Sequence, residues 1–218
     1  VICDQEIGPI NNDELKKKIF NRFYDDTFKF ISRYYCCDKE ILKNAKKVLE
    51  KKRNIKCILT GWPRVNIWNN KFNRIFNSEI KIISKYKKYN LFSSNFICLN
   101  LNELSIFEKK IDKLGSRAFQ KERSNMIKKL KNNYLEFINF KKFLYSYEKS
   151  KNLNKLIIRP HLNENKFIWK EITKTYKKIY VDDRFDIHPW ITKAENVIHR
   201  GCTSSFHAKV SNKKTIYW

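Results

Sequence analysis

A rhythm in the chain limits its fold more than any single motif. Short apolar runs at Ile55 to Thr60, Tyr89 to Phe92, Leu156 to Ile158, Ile179 to Val181 and Val197-Ile198 each run into a polar turn, and helix-like stretches separate most of them. Strand, helix, strand units of this length call for a parallel sheet with helices on both faces, because a parallel neighbour needs a crossover and a right-handed crossover lays its helix back on the sheet. The helical stretches show their own period. Asp38 caps a helix through Leu49, with Ile41, Leu42, Ala45, Val48 and Leu49 at helical spacing. Ala118 to Tyr147 reads as one or two helices, Glu164 to Tyr176 as another, and Asp186 to Pro189 opens a short helix over Trp190 to Ala194. Earlier in the chain, Val1 to Pro9 is a short segment, a helix is expected over Leu15 to Phe23, and Ile31 to Cys37 is β-rich. Gly61-Trp62-Pro63-Arg64 stops the strand before it, and a new unit is expected to start near Lys85.

In an open parallel sheet, ligands collect outside the carboxyl ends of the strands. Four polar turns follow strands and are expected on that edge: Ser94-Asn95, Arg159 to His161, Asp182-Asp183, and Gly201 to Ser205. The last is the most telling. Asn196 to Ala208 reads as a strand, a tight turn allowed by Gly201, and a helix start capped by Thr203 or Ser204. The free N–H groups of a first helical turn, with the helix dipole, suit a phosphate, and a guanidinium and an imidazole facing them add charge-assisted donors. Arg159, His161, Gly201, Thr203, Ser204 and Ser205 are therefore expected around one anion, with Ser94 and Asn95 beside them. Each has a plainer role as well. Thr203-Ser204-Ser205 can simply cap a helix, Arg159 can pair with Asp182 or Asp183 across the sheet edge, and His161 can be structural. His199 ends a buried strand and reads as core. Asp182 and Asp183 read as loop or capping residues, and Trp62, Trp68 and Trp169 as packing.

Composition narrows the partners. The 218 residues are 42% hydrophobic, enough for a real core, and the chain is expected to be a piece of a longer protein, since it opens at Val1 and stops at Trp218 within an apolar run. A formal net charge of +25 invites polyanions, yet the lysines are spread over nearly every helical stretch beside abundant Asn and Ile, as AT-rich codon usage would place them. Nucleic acid is not the expected partner, whereas peripheral contact with an anionic membrane stays open. Cys3, Cys36, Cys37, Cys57, Cys98 and Cys202 form no Cys-x-x-Cys pair, which points to a reducing compartment and to no metal site. No apolar run approaches the roughly 20 residues of a membrane span.

Thr60-Gly61-Trp62-Pro63-Arg64-Val65-Asn66 resembles the T-G-N-P-R-x-D segment of bacterial surface carbohydrate (polysaccharide) biosynthesis proteins. Those proteins are similar to GT-B glycosyltransferases and, more distantly, to CDP-glycerol glycerophosphotransferases. Leu91 to Phe96, Ile158 to Glu164 and Val197 to Ala208 resemble three further segments of the family in the same order, and Asp4-Gln5-Glu6 extends the likeness towards the start. The resemblance implies an α/β fold of GT-B type. Residues 71–218 would form a nucleotide-sugar-binding Rossmann-like domain, and 1–70 the end of a second, acceptor-side domain with a hinge near Gly61 to Asn70. It implies donor contacts for Arg159, His161 and Thr203 to Ser205. His207 stands where the family carries a Glu that commonly holds the donor ribose, while Trp62 and Asn66 replace the family's Asn and Asp. The implied activity is metal-independent, cofactor-free transfer of a sugar from a nucleotide-sugar donor to a carbohydrate or lipid-linked acceptor in the cytoplasm. The base in such folds comes from the amino-terminal domain, so no catalytic residue is assigned. A nucleotide-sugar 2-epimerase of the same fold, and a non-enzymatic basic module, are the alternatives.

Overall fold

The computed structural model describes residues 2–3, 29–50, 54–99 and 116–218. The expected helix over Leu15 to Phe23 and the Asp4-Gln5-Glu6 segment lie outside the described residues. The chain divides into two compact units, Val1–Phe72 and Asn73–Trp218.

In the first unit, β1 (Ile2–Cys3), β2 (Arg33–Cys36) and β3 (Lys56–Leu59) form a parallel sheet in that order. Asp38 caps α1 (Lys39–Ala45) as expected, its Oδ1 accepting from the Ile41 N–H at 2.8 Å. The helix then widens into a π-helical turn over Lys46–Glu50, so the single helix read through Leu49 is two geometries in series. Tyr34, Cys36, Ile41, Ala45, Leu49 and Ile55 make the core. Gly61 has φ +73, and Pro63 opens the short helix α2 (Pro63–Ile67) at a position where its missing N–H costs nothing.

The second unit starts earlier than Lys85. It opens before α3 (Asn77–Ile83), a helix the sequence reading did not contain. Five parallel strands follow, β4 (Tyr89–Ser93), β5 (Lys155–Arg159), β6 (Ile179–Val181), β7 (Asn196–His199) and β8 (Lys214–Tyr217), in the spatial order β6-β5-β4-β7-β8. This is a Rossmann-like sheet: the chain lays strands outwards on one side of β4, then returns and lays them on the other.

The crossovers respect that reversal. The 34-residue helix α4 (Ser116–Lys149), one continuous helix, and α5 (Lys166–Thr173) cover one face. There Phe137, Phe140, Leu144 and Trp169 pack on Phe92, Leu156 and Ile158. On the other face α3, α6 (Ile187–Lys193) and α7 (Thr203–Val210) bring Ile83, Trp190, Ile191 and Ala208 onto Tyr89, Leu91, Ile157 and Val197. Successive residues of β5 thus serve opposite cores, as the pleat requires. Trp169 and Trp190 are fully buried, and each removes apolar area worth about 4–6 kcal/mol before entropy is counted.

Candidate functional site

All five strands run the same way, so the turns after β4, β5, β6 and β7 share the carboxyl edge. Ser93 of β4 pairs on one side with Arg159 and on the other with His199. The order reverses between β4 and β7, the position outside which ligands bind in such sheets.

Glu164 determines the β4–β5 side of that position. Its buried carboxylate accepts from the Ser94 hydroxyl, the Phe96 N–H, the His161 N–H at 3.2 Å and the Trp169 indole N–H at 2.8 Å. Burial pushes the carboxyl above the ordinary range, and these donors only partly offset it. Ser94, also buried, accepts from the His161 N–H and is therefore a brace between two loops, not a free ligand for a donor sugar. The His161 side chain is exposed on the rim, with Nδ1 accepting from the Asn163 N–H at 3.3 Å.

Arg159 turns the other way. Its buried guanidinium donates to the Phe185 carbonyl in the β6–α6 loop, where Phe185 holds φ +65. Burial lowers its pKa, opposed by the charges of Asp183, Asp186 and Asp182. The pairing expected with Asp182 or Asp183 is taken by other cations: Arg184 forks onto Asp182, which also accepts from Tyr86 at 2.9 Å, and Lys166 pairs with Asp183. Burial raises Asp182 and its bonds from Arg184 outweigh that, leaving it below the usual carboxylate range. Because β4 separates β5 from β7, Arg159 sits two strands, about 10 Å, from the turn at Gly201.

On the β7 side the turn has the expected shape with a different cap. Gly201 holds φ +61, and Cys202, not Thr203 or Ser204, is the N-cap of α7; no side chain caps it. Thr203 and Ser204 are the first helical residues. Thr203 is exposed, whereas Ser204 is buried with Oγ 2.6 Å from Cys202 Sγ, and the Ser205 hydroxyl donates to the Cys202 carbonyl at 2.8 Å. His199 accepts from the Gly201 N–H at 3.1 Å and lies edge-on to Tyr217, the core role expected of it, and burial lowers its pKa.

Arg200, which the sequence reading passed over, joins three elements. It stacks on Phe96 at 4.2 Å, donates to the Asn95 carbonyl at 3.0 Å and pairs with Glu136 of α4. Asn95 therefore contributes its backbone to this edge. His207 is turned inwards: its buried ring is parallel to that of His188, with Nε2 2.7 Å from His188 Nδ1. A ring so enclosed does not present a hydrogen bond to a ribose at the edge.

The structure thus places Ser94, Asn95, His161 and Gly201 to Ser205 after strands on one edge of the sheet, turns the Arg159 guanidinium to the β6–α6 loop and buries His207 against His188. Glu164 and Arg200 lie inside two of the resembling segments but were not singled out, since the partners that join them to other loops, Ser94, Phe96, Asn95 and Glu136, lie 64 to 105 residues away. Among the described residues no three His, Cys, Asp or Glu side chains are grouped to hold a metal ion, and no helix is long and apolar enough to cross a membrane. No family model and no curated protein matches the chain.

Proposed function

We propose that the second unit binds the diphosphate of a nucleotide-activated sugar over Gly201 to Ser205, and that the protein transfers that sugar in surface polysaccharide synthesis. The acceptor would be a carbohydrate or lipid-linked carbohydrate at the cytoplasmic face of the membrane. One observation carries the nucleotide part of this reading: a glycine-started helix without a side-chain cap opens at the strand-order reversal of a Rossmann-like sheet. The transfer chemistry rests on the four ordered motif resemblances. In this reading the first-turn N–H groups of α7 stabilise the departing diphosphate without a metal, with His161 on the rim. Arg159 positions the β6–α6 loop through the Phe185 carbonyl, and no group is assigned as base.

The test is calorimetric titration of UDP, CDP and GDP, repeated with Thr203→Asp. A carboxylate at that exposed position suits the helix dipole, so the fold is retained, while it repels a bound diphosphate. Binding should weaken about tenfold or more with the melting temperature held, a loss of at least about 1.4 kcal/mol. Undiminished binding in Thr203→Asp, or no binding of any diphosphate, overturns the assignment. Product analysis with a nucleotide-sugar then separates transfer from epimerisation, because only transfer requires an acceptor.

A further inference from the structure

We infer that the outward face of α4 docks on an anionic lipid surface, a proposal that stands apart from the nucleotide site. The inward face of this helix is accounted for: Asn133, Phe137, Phe140, Leu144 and Tyr147 are buried. Yet its solvent-facing side carries apolar residues too. Ile127, Tyr134, Leu135 and Tyr145 are 53–59% exposed. From Ile127, Tyr134 lies seven residues on, near two helical turns, and Tyr145 a further eleven, near three. These three fall in one stripe about 27 Å long, and Leu135 lies about a quarter-turn round from it, beyond Lys131, Lys142 and Lys149. A helix that covers a sheet normally turns a polar face to water.

Charge says what covers the stripe. Lys131, Lys141, Lys142 and Lys149 are exposed along its flanks, and the Lys149 ammonium lies 5.5 Å from the Tyr145 ring. Two acids of the same stretch of helix are engaged elsewhere. Glu136 holds Arg200, and Glu148 accepts the backbone N–H groups of Lys177 and Lys178. The ion pairs among the described residues include none of the four lysines.

Aliphatic and tyrosyl side chains on a helix, bordered by unneutralised lysines with long apolar stems, match the boundary between headgroups and acyl chains. The stripe enters the boundary and the ammonium groups stay with the lipid phosphates. A nucleic acid would use the lysines but offers little to Ile127 and Leu135, which is why lipid is favoured.

Flotation of the whole chain with vesicles tests this. Binding to phosphatidylcholine mixed with phosphatidylglycerol should exceed binding to phosphatidylcholine alone about tenfold or more. Joint reversal of Lys131, Lys141, Lys142 and Lys149 to Glu should abolish it. Ile127→Ser with Tyr134→Ser and Tyr145→Ser should weaken it about tenfold, with circular-dichroism melting unchanged because all three sites are exposed. Reversal of the exposed Lys170 and Lys174 to Glu is the control and should leave binding intact. Equal loss in that control, no loss in the α4 variants, or capture of duplex RNA with the same dependence on Ile127 and Tyr145 overturns the proposal. The nucleotide titration reads out separately, so failure of one assignment leaves the other standing.

Discussion

At His207, a ring standing where the resemblance led us to expect a ribose contact is instead sealed against His188, whose Nε2 also meets Asn73 Oδ1 at 3.1 Å and the Thr192 hydroxyl at 3.4 Å. Burial holds the His188 imidazole below its ordinary 6.5, with Asp186 opposing in part. The unfolded chain therefore takes up the proton first. The stability that depends on a neutral His188 is fully present above pH 6.5 and is lost as pH falls through the lower folded value. Melting temperatures measured from pH 7 down to pH 5 should fall, and the fall should be shallower in His188→Gln. Identical slopes would remove His188 as the source. Glu164 works in the other direction, since its raised carboxyl favours the folded state more at low pH, so the comparison is between wild type and variant at each pH. Residue chemistry was legible in the sequence where the backbone alone decides it. Gly201 and the Asp38 cap are of that kind. It was not legible where burial decides, as for Ser94, Arg159 and His207.

Among the elements, the turn into α7 depends on one conformation. A side chain at Gly201 would meet nothing closer than Tyr217 Cε2 at 3.7 Å, so space is not the obstacle and the positive φ is. Gly201→Ala should cost about 1–2 kcal/mol in urea unfolding, from the left-handed backbone alone. A smaller change would mean that the loop relaxes to negative φ. The strands of the second unit could be read in advance because β4, β5 and β7 are buried on both faces and stand out as short apolar runs. α3 could not. Its Ile80, Ile82 and Ile83 are β-branched and weakly helical, and only Ile83 packs in the core, on the side of Trp190, so tertiary burial rather than local preference fixes it. α4 was read over Ala118 to Tyr147, within two residues of each end, and only whether that stretch is one helix or two was left open.

For the whole molecule, a net charge of +25 means self-repulsion across a surface on which most of the described lysines are exposed. Raising sodium chloride at neutral pH should raise the melting temperature, since salt at about 0.1 M screens charges more than about 10 Å apart and so relieves the spread repulsion more than it weakens close ion pairs. A falling melting temperature would show that those pairs dominate. The α/β class was legible at this scale from the rhythm of strands and helices. The strand order was not, because β4 pairs with β7 across more than a hundred residues, and only the folded sheet reveals that the order reverses where Ser93 pairs with His199.

The clasp made by Arg200 gives this edge a cross-tie. One guanidinium grips the outer helix through Glu136 and the loop after β4 through the Asn95 carbonyl, and it leaves the backbone one residue before Gly201. The turn into α7 is thereby tied to the loop after β4 and to the outer helix by one cation, in addition to the apolar packing that seats that helix on the sheet.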